Sequence, residues 1–142
     1  MYEFLLKAHS GLRHLVLLGL VVVVVKSLIG MFNKQPYSSL DNKLGLFTFI
    51  FTHTQLLLGL LLYFVSTNVQ FSEHTMKNDT FRYWTLEHSV GMLAAMVLIT
   101  LARTTSKRMT NDADKHKRMF IFNFVALVVI IAVIAISGRK IL

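Results

Sequence analysis

The chain has 142 residues, of which 54% are hydrophobic and 15% are charged, with a net charge of +8 and no cysteine. Soluble domains carry about 25% charged residues and small ones bury only about two thirds of their surface, so this much apolar surface excludes a water-soluble globule. The composition indicates one integral membrane domain over residues 1–142, and the lack of cysteine excludes disulfides, thiolate zinc sites, iron–sulfur clusters and thioether-linked haem.

Four stretches of the chain are long and apolar enough to cross a bilayer, which takes about 20 residues. They cover residues 6–26, 44–66, 82–103 and 118–138. The first has an uncharged run of only twelve residues, so a full span must carry Arg13 and His9 into the membrane. The third carries one carboxylate, Glu87. These polar groups inside apolar spans need a physical explanation.

The connections between the four stretches are short and polar. Such connections predict an all-α fold, an antiparallel up-down-up-down four-helix bundle, and they leave no room for a soluble domain. The N-terminus lacks a small-residue cleavage site, so we expect the first stretch to be a retained helix rather than a removed signal peptide.

The distribution of positive charge predicts the orientation of this bundle. With their flanks, the connections after the first and third spans hold nine Lys and Arg residues, against six on the other side. The positive-inside rule then places both termini outside the cytoplasm. Attraction to anionic lipid accounts for the net charge. We therefore expect the lipid bilayer as a partner, and no nucleic acid.

Ionisable residues inside a membrane span are costly and mark functional sites by default. Four of the six histidines lie in predicted spans, and the other two fall in connections, where we expect water to surround them. The four in the spans are His9, His14, His53 and His88, and the two in the connections are His74 and His116.

Two of these histidines are predicted to lie at nearly the same depth in the bilayer. Seventeen residues separate His9 from Lys26, and fifteen separate His88 from Arg103, where each helix meets the cytoplasmic boundary. At 1.5 Å per residue the two histidines differ in depth by about 3 Å. They are therefore expected to face each other from two helices at one level.

The angular position around the helix axis distinguishes the two histidines of the first span. Arg13 lies one turn from His9 on the same face, whereas His14 points about 140° away. If the helix face that carries His9 and Arg13 points to the bundle interior, His9 is the histidine that faces inward. In the third span, Gly91 and Ala95 share the stripe of His88, and such small residues leave space for a flat ring or for a closely packed helix.

An apolar four-helix core that carries histidine and no cysteine is typical of b-type haem, whose iron takes two neutral imidazoles from opposite sides. The first and third helices lie diagonally in such a bundle, so we expect His9 and His88 as the axial ligands, with His53 as the alternative. Arg13, near the outward surface, would neutralise a haem propionate. No motif supplies an acid, base or nucleophile, so we expect an electron carrier rather than an enzyme.

Four segments of the chain resemble a family of small bacterial four-span membrane proteins commonly labelled cytochrome-b-like. They are HSGLR (9–13), FTHTQLLLGLLLYF (51–64), WTLEHSVGM (84–92) and KHKRMFIF (115–122). The resemblance extends over nearly the whole chain and implies a location in the bacterial inner membrane. The site residues that it implies are His9, Arg13, His53, Glu87 and His88.

Two other interpretations of the same residues stay open. Histidine and arginine inside bundles often only form hydrogen bonds across helices, and Arg13 with Glu87 would make a plain ion pair. The chain would then be a cofactor-free accessory subunit of a larger membrane complex. Alternatively, His88 and Glu87 would bind a quinone as hydrogen-bond partners and proton carriers, with the quinone pool as the partner.

Overall fold

The computed structural model describes residues 1–138, and over these residues it contains helices and no strands. Its long helices are α1 (Tyr2–Phe32), α2 (Ser39–Val65), α3 (Asp79–Ser106) and α4 (Asp112–Ile136). A single 3₁₀ turn, Thr75–Lys77, lies between α2 and α3. Arg139 and Lys140, two of the six outward charges counted above, lie outside the described residues.

Side-chain caps determine where two of the helices begin. At the start of α2, the Ser38 hydroxyl accepts the Asp41 N–H at 3.3 Å, and the Asp41 carboxylate accepts the Ser38 N–H at 2.8 Å. This reciprocal capping box satisfies donors that a helix end otherwise leaves unpaired. At the start of α4, the Asn111 side chain accepts the Ala113 N–H at 2.8 Å. Both helices therefore begin several residues before the predicted apolar spans.

Each helix packs against two others. α1 contacts α2 and α4, and α3 contacts α4 and, over a smaller area, α2. Contacting residues run in opposite order along α1 and α2, because His9 meets Gly59 near one end and Lys26 bonds Asp41 near the other. α1 and α3 thus lie diagonally across the four-helix arrangement.

The apolar core consists of buried side chains from α1, α3 and α4. They are Val16, Leu17, Leu20, Ala95, Ile99, Ala126, Ile130 and Ile134. On α3, a Cβ at Gly91 would overlap the Val133 side chain of α4. The stripe of small residues on α3 therefore admits a closely packed helix, and α4 takes the space that a flat ring would need there.

Most of the apolar surface of the helices faces outward. All four long helices have the length and composition needed to cross a membrane. At most 33% of the most apolar window of any of them is buried inside the protein. A water-soluble protein rarely exposes contiguous apolar surface on this scale, so the composition argument and the outward-facing side chains agree.

Candidate functional site

A π-helical turn in α3 shapes the surroundings of His88. The turn covers Tyr83–Glu87, and the His88 N–H donates to the Tyr83 carbonyl. Such turns occur frequently at functional sites, because the extra residue re-aims the side chains around it. The buried Tyr83 hydroxyl donates to the Val133 carbonyl at 3.1 Å and so anchors the turn on α4. The His88 ring lies 5.0 Å from the Trp84 ring and 5.8 Å from the Tyr83 ring, between centroids.

His9 and His88 meet across the helix arrangement. Their ring centroids are 6.2 Å apart, and the ring planes are inclined by 66°. The structure thus brings together the two histidines that the depth argument pairs. On α2, a Cβ at Gly59 would lie 3.3 Å from Cε1 of His9, so the missing side chain leaves room for the His9 ring beside the α2 backbone.

Three polar atoms around His9 are buried and have no hydrogen-bond partner. They are His9 Nδ1, Arg13 Nε and Gln55 Oε1. The Gln55 amide nitrogen donates to the His9 carbonyl at 2.8 Å, which fixes this side chain beside the turn that carries His9. An unsatisfied buried polar atom costs about 1–3 kcal/mol. Buried polar atoms without a partner are uncommon in native proteins, so these three atoms are candidates for contact with water or a bound molecule.

The separation of the two rings can be compared with that of two imidazoles bound to one metal ion. Two metal–nitrogen bonds of about 2 Å, plus about 1 Å from each nitrogen to its ring centre, place the ring centroids about 6 Å apart. The observed separation is 6.2 Å. Over residues 1–138, no three His, Asp or Glu side chains converge as ligands of one metal ion. His9 and His88 are therefore the two nitrogen-bearing side chains that this place could offer to a metal ion, and any further ligands would have to come from a bound molecule.

Glu87 is paired with a different arginine from the one considered in the sequence. Its carboxylate accepts the Arg82 Nε–H at 2.7 Å, and Arg82 also lies 3.3 Å from Asp79. Arg13 Nε is buried without a hydrogen bond. The Arg13–Glu87 ion pair offered as an alternative is therefore wrong, because Glu87 pairs with Arg82 instead.

The structure does not bring His53 to the other two histidines. The His53 Nδ1–H donates to the Phe49 carbonyl at 2.8 Å, and Nε2 lies 3.4 Å from the Thr100 hydroxyl on α3. Its ring stacks on Phe49 at 4.0 Å between centroids. Along α2, His53 lies six residues from Gly59, which is about 9 Å at 1.5 Å per residue. His53 therefore bridges α2 and α3, away from the pair.

The remaining three histidines have different surroundings. His14 on α1 is exposed, as its angle from His9 predicts, and His74 is exposed beside Glu73. His116 was expected in a solvated connection, and this expectation is wrong: it lies in α4 and is 0% exposed. Its Nε2–H donates to the Gln35 carbonyl at 3.1 Å, and its ring occupies a notch that a Cβ at Gly30 would fill.

His116 belongs to a second polar cluster, which the sequence analysis missed. Lys26 Nζ bonds the buried Asp41 carboxylate at 2.8 Å, and the Tyr37 ring lies 5.1 Å from the His116 ring. Burial raises the pKa of the Tyr37 hydroxyl, and the nearby Asp41 carboxylate raises it further. Arg103, only 8% exposed, donates to the Asn42 carbonyl at 3.3 Å. This cluster fastens the first connection to the helices around it.

Comparison of the chain with protein-family models, with curated proteins and with solved structures gives no significant match. The resemblance to cytochrome-b-like proteins therefore stays a prediction.

Proposed function

We propose that the chain is an integral membrane protein, an antiparallel up-down-up-down four-helix bundle that binds one b-type haem and relays electrons in a respiratory or redox chain. One observation carries this proposal: imidazoles from the diagonal helices α1 and α3 meet at 6.2 Å beside unpartnered buried polar atoms. We place the protein in the bacterial inner membrane, with lipid around the outward apolar faces and both termini outside the cytoplasm.

The residues of this chain would hold the haem from three sides. His9 and His88 would supply the nitrogen ligands of the iron, and the π turn, which Tyr83 anchors on α4, would hold the direction of His88. Arg13 neutralises a propionate at the outward end. Bound haem supplies one-electron redox chemistry, and the two neutral imidazoles and the water-poor surroundings set its potential. No residue needs to act as an acid, base or nucleophile, so the protein would be a carrier rather than an enzyme.

Absorption spectroscopy on the purified protein tests the haem proposal. We expect protein purified in detergent, with haem supplied during expression, to show a Soret band and a sharp α band on reduction. His88→Ala should abolish both bands. His14→Ala, the matched control, changes an exposed histidine on the same helix as His9 and should keep them. Colourless wild-type protein that takes up no added haem would overturn the proposal and favour an accessory subunit without a cofactor.

A quinone site is the second candidate, because the same unpartnered atoms suit a quinone. Arg13 Nε donates and Gln55 Oε1 accepts, which matches the carbonyl and hydroxyl oxygens of quinone and quinol. Titration of haem-free protein with a short-chain ubiquinone measures this directly. Gln55→Leu should weaken quinone binding about tenfold if the ligand uses this acceptor, since a lost hydrogen bond in an apolar site costs about 1–3 kcal/mol. The same variant should retain haem if haem is the ligand.

A further inference from the structure

One outward face of α4 carries a groove that the proposed haem site does not use. Its volume is about 410 Å³, and it lies where α4 begins, beside the connection from α3. The groove is lined by Met109, Asp114, Lys117, Arg118, Ile121 and Phe122. The residues from α4 recur every three or four positions and so lie on one face of the helix.

Arg118 is held in this groove with its charge uncompensated. Its guanidinium donates to the Thr105 hydroxyl at 3.3 Å and lies 4.8 Å from the centre of the Phe122 ring. The Thr105 hydroxyl donates in turn to the Leu101 carbonyl, so its oxygen is oriented to accept from Arg118. Over residues 1–138, Arg118 forms no ion pair. A fixed, part-buried guanidinium of this kind is ready to bind an anion bidentately.

The surroundings of Arg118 match an amphiphile rather than a free anion. Asp114 and Lys117 also line the groove, both at exposed positions, so the lining carries two positive charges and one negative charge. Deeper along the same face, Ile121 and Val125 are exposed and apolar. The groove thus passes from cationic to apolar within about one helical turn, as a lipid does from its phosphate to its acyl chains.

We propose that this groove binds an anionic phospholipid, with the phosphate on Arg118 and Lys117 and an acyl chain along Ile121. The proposal rests on the membrane location proposed above, but it does not depend on haem binding. The positive-inside rule places this end of α4 at the cytoplasmic leaflet, where anionic lipids are enriched.

Native mass spectrometry tests the proposal on the full chain in detergent, offered equal amounts of phosphatidylglycerol and phosphatidylcholine. We expect the wild-type protein to retain phosphatidylglycerol at least fivefold more than phosphatidylcholine. Arg118→Gln should remove this preference, and Lys117→Gln should reduce it. Lys34→Gln, which removes an exposed charge in the first connection, is the matched control and should leave the preference unchanged.

Displacement of the lipid by inorganic phosphate would overturn the proposal, and so would either of two lipid-binding results. One is equal retention of both lipids by the wild-type protein, and the other is an unchanged preference in Arg118→Gln. Inorganic phosphate, added as a separate arm, should not displace the lipid; displacement would mean that the site binds a free anion. Lys117→Gln keeps the test decisive if Arg118→Gln fails to fold. Because the assay does not depend on haem, failure of the haem proposal and failure of the lipid site are distinguishable.

Discussion

The notch at Gly30 offers a sharp test of how α1 and α4 pack. The substitution Gly30→Ala places a Cβ where three ring atoms of the buried His116 lie. The ring must move, which breaks its hydrogen bond to the Gln35 carbonyl. Overpacking costs about 1–3 kcal/mol and the unsatisfied buried group about 1–3 kcal/mol. We therefore expect the free energy of unfolding to fall by about 2–6 kcal/mol, measured by denaturant titration in detergent micelles.

A second substitution and a control distinguish the clash with the His116 ring from the general effect of replacing glycine by alanine in a helix. In protein that already carries His116→Ala, the ring is absent, so adding Gly30→Ala should cost less than about 1 kcal/mol. Gly11→Ala is the control because nothing lies within 4 Å of its new Cβ, and it should stabilise α1 by up to about 1 kcal/mol. A similar effect of Gly30→Ala with and without the His116 ring would refute the reasoning.

Two further predictions concern the candidate site and the second polar cluster. Gly59→Val should lower haem affinity at least tenfold in a haem titration, because its Cβ alone would lie 3.3 Å from the His9 ring; unchanged affinity would mean that the ring does not need this space. Asp41→Asn should lower the free energy of unfolding by about 1–3 kcal/mol, since it removes the buried charge that pairs with Lys26. The control Asp79→Asn changes an exposed carboxylate and should alter the free energy of unfolding by less than about 0.5 kcal/mol. Equal effects of the two Asp substitutions would contradict the assigned role of the Lys26 pair.

The helices were predictable because a bilayer requires apolar runs of fixed length, and the sequence shows four of them. Their ends were not, because caps rather than hydropathy determine them. α4 begins at Asp112, in a stretch that is rich in charge and was interpreted as a connection. A periodic stripe of His116, Met119 and Asn123 would have indicated the longer helix, since all three are buried at intervals of three and four residues.

The candidate site was predictable to the extent that helices have a regular rise. Counting 1.5 Å per residue was enough to pair His9 with His88. Angular positions around α2 did not show which way His53 points, because the direction depends on the neighbouring helix. In the structure that neighbour is α3, whose Thr100 hydroxyl lies beside His53 Nε2. The π turn before His88 was not predicted, and neither was the hydrogen bond from Tyr83 within it to the Val133 carbonyl, because a contact between helices leaves no hydropathy pattern in the sequence.

Electron paramagnetic resonance of the oxidised, haem-loaded protein tests the central claim most directly, because it reports the ligands of the iron. We predict a low-spin signal for the wild-type protein, which two imidazole ligands would produce, and loss of this signal in both His9→Ala and His88→Ala. His53→Ala should keep the low-spin signal. A low-spin signal that survives in both His9→Ala and His88→Ala, or wild-type protein that binds no haem, would contradict the account.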